Sequence, residues 1–167
     1  IPADNIATTL KDIRLQTPNE LYDISAGSME LSTINSTMLL SDIILSPRHD
    51  KGDFAEHVGH QIDRIDLTVD EIKCDNINTE ELNKTKGFTA SLIKVSNADL
   101  DVYRDKRKPE RPKSYKPLPQ EIIRDIPFPT TIDSININES NIRYTEQKPE
   151  AEKAGYIEFA NLSATLM

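Results

Sequence analysis

The chain has 167 residues, of which 37% are apolar and 29% charged, with no Trp, five Gly and a net charge of −8. That length suits one domain, and so acidic a chain is a poor general partner for nucleic acid, which needs Lys and Arg to replace phosphate counterions. Cys74 is the single cysteine, which excludes an internal disulfide and is expected to be a buried, inert thiol.

Ile1-Pro2-Ala3-Asp4 lacks the charged start and apolar run of a secretory signal. The chain starts without Met and stops inside what reads as a strand, so a fragment of a longer protein is expected, forming one β domain over 1–167. Residues 21–31 (LYDISAGSMEL) and 36–45 (STMLLSDIIL) read as two strands. The apolar run from Met38 to Leu45 is too short and too interrupted to cross a membrane as a helix.

RHDKGDFAEHVGH follows, with His49, Asp50, Asp53, His57 and His60. His57 and His60, three apart, could share a metal with Asp50 or Asp53 on a helical turn. No His-x-x-x-His pair with a flanking Glu is present, so a polar loop is expected here, with no metal and no cofactor. The chain also lacks Gly-x-Ser-x-Gly, a P-loop and a glycine-rich phosphate cradle. Its carboxylates fall at alternating strand positions, where a solvated face accounts for them, and no enzymatic activity is expected.

A template then recurs, with apolar residues at i, i+2, i+7 and i+9. It reads Ile65, Leu67, Ile72, Cys74; then Ile93, Val95, Leu100, Val102; then Ile135, Ile137, Ile142, Tyr144; and finally Ile157, Phe159, Ala164, Leu166. A spacing of two is the strand period and puts each pair on one face. The gap of five changes parity, so either a bulge bends one long strand or a turn makes a hairpin. The bent strand is expected, because the repeat is too tight for two good strands around a turn. β-Branched residues dominate and disfavour helix. The copies begin 28, 42 and 22 residues apart, which excludes a strict solenoid and suits an antiparallel meander.

Between the second and third copies lies a Pro-rich basic connector, 104–117. Residues 104–116 hold seven Lys/Arg, among them Arg104, Lys106, Arg107, Lys108, Arg111 and Lys113, against Asp105 and Glu110. The local charge of +5 leaves −13 on the rest. A solvated loop whose charges pair with the acidic body is expected, with anionic lipid headgroups as the other partner considered. LPQEIIRDIPF then describes a short amphipathic helix at about 118–125, started by Pro119 and stopped by Pro127.

TIDSININESNIRYTEQ followed by GYIEFANLSATL resembles the repeated unit of AsmA-like and TamB-like bacterial envelope proteins, and LYDISAGSMELS with the connector resembles the large Bacteroidetes type. The resemblance implies a periplasmic segment of a membrane-anchored parent chain. In it a long, twisted, half-open sheet presents an apolar groove that carries or shields lipid between membranes. It brings no catalytic residues. The expected fold is therefore mainly β, an antiparallel, strongly curved sheet of long bent strands with one short helix. The groove would be lined by Ile65, Leu67, Ile93, Val95, Ile135, Ile137, Ile157 and Phe159, which could equally be core beneath a second sheet. The alternative function is a secreted β-sandwich module binding a protein or glycan.

Overall fold

A computed structural model of the chain describes residues 6–79, 87–110 and 129–167. They form one seven-stranded sheet in sequence order: β1 (Ala7–Gln16), β2 (Tyr22–Ser32), β3 (Thr37–Pro47), β4 (Asp63–Asp75), β5 (Phe88–Asp105), β6 (Thr130–Gln147) and β7 (Gly155–Leu166). The sheet is not closed on itself, and β1 and β7 are its edges. One short helix, α1 (Phe54–Val58), joins β3 to β4. It occupies the stretch expected to be a polar loop, and Phe54 and Ala55 are the apolar pair it buries. The expected helix at 118–125 lies outside the described residues.

Each template is a single continuous strand, 13 residues in β4, 18 in β5, 18 in β6 and 12 in β7, so none is a hairpin. In β5, β6 and β7 the parity change is made by left-handed backbone, whereas β4 has no positive-φ residue. Asn97, Glu139 and Asn161 have φ of 54°, 48° and 54°, each two residues past the first apolar pair. Asp12 in β1 and Asp42 in β3 do the same, at 52° and 54°. Asn and Asp tolerate this region better than other non-glycine residues, which is why the gaps are rich in them.

The sheet departs from the expected meander in one place: β5 and β6 pair in parallel. Parallel neighbours need a crossover connection of about a dozen residues or more, and the segment 106–129 supplies that length. All other neighbours are antiparallel and joined by shorter connections. The β1–β2 turn shows how local they are: Thr17 Oγ1 donates to Asn19 Oδ1 at 2.7 Å and accepts from Tyr22 N at 3.0 Å.

Register aligns the four templates with one another. Ile93 faces Ile135 and Cys74, Val95 faces Ile137 and Ile72, and Ile142 and Tyr144 face Phe159 and Ile157. The alignment continues into strands where the sequence reading found no template. Leu40 faces Ile72 and Met29, and Leu45 faces Leu67 and Ile24. In β1, Leu10 faces Met29 and Leu15 faces Ile24. Directly opposed residues share a face, so four rows cross the sheet.

Candidate functional site

A fifth row lies between the inner two, beside the left-handed residues: Ile13, Ala26, Ile43, Val69, Ala98, Ser140 and Leu162. Ile13 faces Ala26, Ile43 faces Val69, Val69 faces Ala98, and Ser140 faces Leu162. In β1, β3, β5, β6 and β7 the left-handed residue and its neighbour together take one place in the pleat, as in a β-bulge, while β2 and β4 follow their partners' register without one. The row therefore joins the other four, and each strand presents five positions on one side. Three of its members are buried, Ala26 at 8%, Val69 at 4% and Ser140 at 2% exposure. Ser140 carries the one hydroxyl in the row and its hydrogen bonds are made: Oγ accepts from Ala98 N at 3.1 Å and donates to Asn138 O at 3.0 Å.

The outer rows are less covered. Ile65, Leu67, Ile93, Val95, Ile135 and Ile137 are half-buried, shielded by row neighbours. On the edge strand β7, Ile157 and Phe159 are 61% and 55% exposed. Among the described residues no second sheet lies over these side chains, as a sandwich would require. The groove candidates are thus brought onto one face, in adjoining rows.

The two ends of the face differ. At one end Ile77, following β4, folds onto Cys74 and Ala90, with Met38, Ile72, Phe88 and Ile93 packed around them. Burial and the neighbouring Asp75 push the Cys74 thiol up to about 11, so it is protonated and inert at neutral pH. At the other end the apolar rows stop at a polar row, where Asp63 faces Arg104 and Arg104 faces Glu146. Arg104 Nη2 lies 2.6 Å from Asp63 Oδ2, and Lys106 Nζ lies 2.8 Å from Glu146 Oε2. The bond from Lys106 holds the Glu146 carboxyl below its usual range. It raises Lys106 in turn.

These contacts correct the set of basic surface candidates. Arg104 is not a surface cation, since it is buried at 8% exposure against Asp63. Arg107 makes a bidentate contact with buried Asp105, with Nε and Nη2 both at 2.8 Å, which holds that carboxyl low. Lys108 reaches Glu56 at 3.3 Å. Arg104, Lys106 and Lys108 thus pair with carboxylates elsewhere in the chain, while Arg107 pairs with Asp105 inside the basic run, and Arg104 and Asp105 belong to β5 rather than to a solvated loop; Arg111 and Lys113 lie outside the described residues.

His57 does not turn toward His60. It stacks on His49, with ring centroids 4.1 Å apart, while Phe54 packs on Tyr22 at 5.4 Å. The same segment is tied to the opposite side of the sheet by Lys51, paired with Asp101 and 5.8 Å from the Tyr103 ring. Among the described residues no group of three or more His, Cys, Asp or Glu side chains could hold a metal ion. No helix there is long and apolar enough to cross a membrane. No protein-family model, curated protein or solved structure matches the chain.

Proposed function

We propose that the chain is a non-enzymatic segment of an AsmA-like cell-envelope protein, and that its five-row apolar face holds or shields lipid acyl chains in the periplasm. The observation that carries this reading is the half-exposed state of the outer rows. An apolar surface that crosses seven strands yet has no covering layer among the described residues is a surface waiting for an apolar partner. Flexible acyl chains suit it because the lining side chains are mostly aliphatic or aromatic, and the Ser140 hydroxyl in the central row is already bonded to Ala98 N and Asn138 O. The polar row of Asp63, Arg104 and Glu146 then marks one limit of the face, where a headgroup would leave the apolar surface. The parent chain would supply the anchor in the inner membrane, and the strong curvature expected for the sheet would make the face a groove.

Native mass spectrometry of the purified protein tests this directly. Co-purified phospholipid is the expected result, reduced by Ile93→Asp or Ile137→Asp, which put a charge into the middle of the face. A protein that carries no lipid and does not take up phospholipid from vesicles would overturn the reading. A lipid-free protein that instead captures a soluble protein or glycan would favour the secreted binding module.

A further inference from the structure

We infer that the turn between β6 and β7 is the headgroup site of this face. Its lysines hold the phosphate of a glycerophospholipid of net negative charge, whose acyl chains lie along the apolar rows. The inference rests on the lipid-holding reading above and adds an orientation and a charge preference to it. Tyr144 and Ile157, directly opposed in the last apolar row, line an open cleft of about 460 Å³. Glu146, Lys148 and Lys153, from the strand end and the turn, line it too. The cleft therefore begins where the apolar rows stop, and the β6–β7 hairpin builds it.

Charge names the occupant. The turn Lys148-Pro149-Glu150-Ala151-Glu152-Lys153 is neutral as a whole, yet of its charged residues only the two lysines line the cleft. Lys106 joins them through its 2.8 Å contact with Glu146 Oε2. Three ammonium groups around one carboxylate leave a local charge of +2, in a chain whose total is −8. The Lys148 side chain is 68% exposed and stands 3.9 Å from the other oxygen of Glu146. Lys153 pairs with no carboxylate among the described residues. Exposed pairs of this kind are weak, so both lysines are available to an anion. Beside them the buried Arg104 faces Glu146, and its Nε has no hydrogen-bond partner among the described residues, an unused donor at the same end.

Size and length agree with a phospholipid. The cleft falls within the range of small-ligand sites, about 300–1,000 Å³, and exceeds what the bare carboxylate of a fatty acid fills. From Tyr144 to Ile135 the rows run along nine residues of β6, about 30 Å at about 3.3 Å each. One acyl chain reaches across about half of a 30 Å bilayer core, so the tails fit between the cleft and the far end of the face. That far end offers no headgroup site of its own. Ile77 closes the apolar cluster there, and Lys73 and Lys94 are both engaged by Asp75.

Lipid uptake read by native mass spectrometry tests the site. The purified protein is mixed in turn with vesicles of phosphatidylglycerol and of phosphatidylcholine carrying the same acyl chains, and the retained lipid is counted. Phosphatidylglycerol should be favoured by about tenfold at low salt, and the preference should shrink in about 0.5 M salt, which screens exposed lysines. Lys148→Ala/Lys153→Ala should bring phosphatidylglycerol down to the phosphatidylcholine level and leave phosphatidylcholine unchanged, because the apolar rows are intact. Lys11→Ala/Arg14→Ala removes the same charge from exposed positions of β1 and should keep the wild-type preference. Equal retention of the two lipids by wild-type protein, or a preference that survives Lys148→Ala/Lys153→Ala, overturns the headgroup site and leaves the lipid-holding reading standing. A preference lost equally in the β1 variant does the same, since it reports net charge alone. Retention of neither lipid overturns both.

Discussion

Glu139 offers the sharpest test of how these strands put five residues on one face. It sits at φ 48° inside β6 and has neither the short Asx side chain nor the missing Cβ that makes this region comfortable. Left-handed backbone costs an ordinary L-residue about 1–2 kcal/mol. Glu139→Gly removes that strain but adds about 0.4–1 kcal/mol of unfolded-chain entropy, so a net gain of about 0–1.6 kcal/mol is expected. Glu139→Ile places a β-branched side chain where φ is positive, and a loss of about 1–3 kcal/mol is expected. For a domain of this size 1 kcal/mol moves Tm by about 2–4 °C. Glycine should therefore raise Tm by up to about 6 °C, while isoleucine lowers it by roughly 2–12 °C. Thr131→Ile is the control: an exposed position in the same strand without positive φ, expected to change stability by no more than about 0.5 kcal/mol. Thermal unfolding followed by circular dichroism reads all three. If Glu139→Ile is as stable as Thr131→Ile, β6 has no left-handed residue there and the single-face arrangement of its template is wrong.

Four further outcomes follow from the same structure. Val69→Asp in the central row leaves an unpaired charge beside 4%-exposed packing and should unfold the protein in expression trials. Ile157→Asp on the exposed edge should leave the melting curve within about 0.5 kcal/mol of wild type. The Cys74 thiol, raised to about 11, should resist a thiol reagent at pH 8 until urea unfolds the chain, and rapid labelling of native protein would contradict its burial. Asp75, Asp105 and Glu146 all titrate below their usual values in the folded state, the first held by Lys73, the second by Arg107 and the third by Lys106. Their contribution to stability is fully present above the unfolded carboxylate range of about 4 and is lost as pH falls through and below it. Urea midpoints should then be level from pH 7 to about pH 5 and decline toward pH 3, and Lys106→Met should flatten part of that decline.

The four templates fixed strand positions in advance because period-two apolar pairs and polar gaps are local signals. The same signals located β2 and β3 but not β1, whose row positions include Thr8, and not the central row, where Ala26, Ala98 and Ser140 carry no apolar bulk. Their place became visible only when neighbouring strands set them opposite Ile13, Val69 and Leu162. α1 was hidden for a related reason. Five residues with one buried aromatic give no helical period, and Phe54 owes its burial to Tyr22 from a distant strand.

Strand direction could not be read from the chain at all. The spacing i, i+2, i+7, i+9 is the same read forward or backward, so a template strand matches its neighbour equally well in parallel or antiparallel. The tertiary pairing decided the matter: β5 and β6 run parallel across 106–129, while β3 and β4, whose connection 48–62 also exceeds the dozen or so residues a crossover needs, run antiparallel. Charge followed the same division. The basic run was plain in the sequence, but only the fold brought Arg104 to Asp63, Lys106 to Glu146 and Lys108 to Glu56, across 41, 40 and 52 residues of chain. Local spacing determined where this chain makes strands and which residues share a face; the direction of each strand, the partner of each charge and the open state of the face were decided by contacts far apart in sequence, which no local pattern encodes.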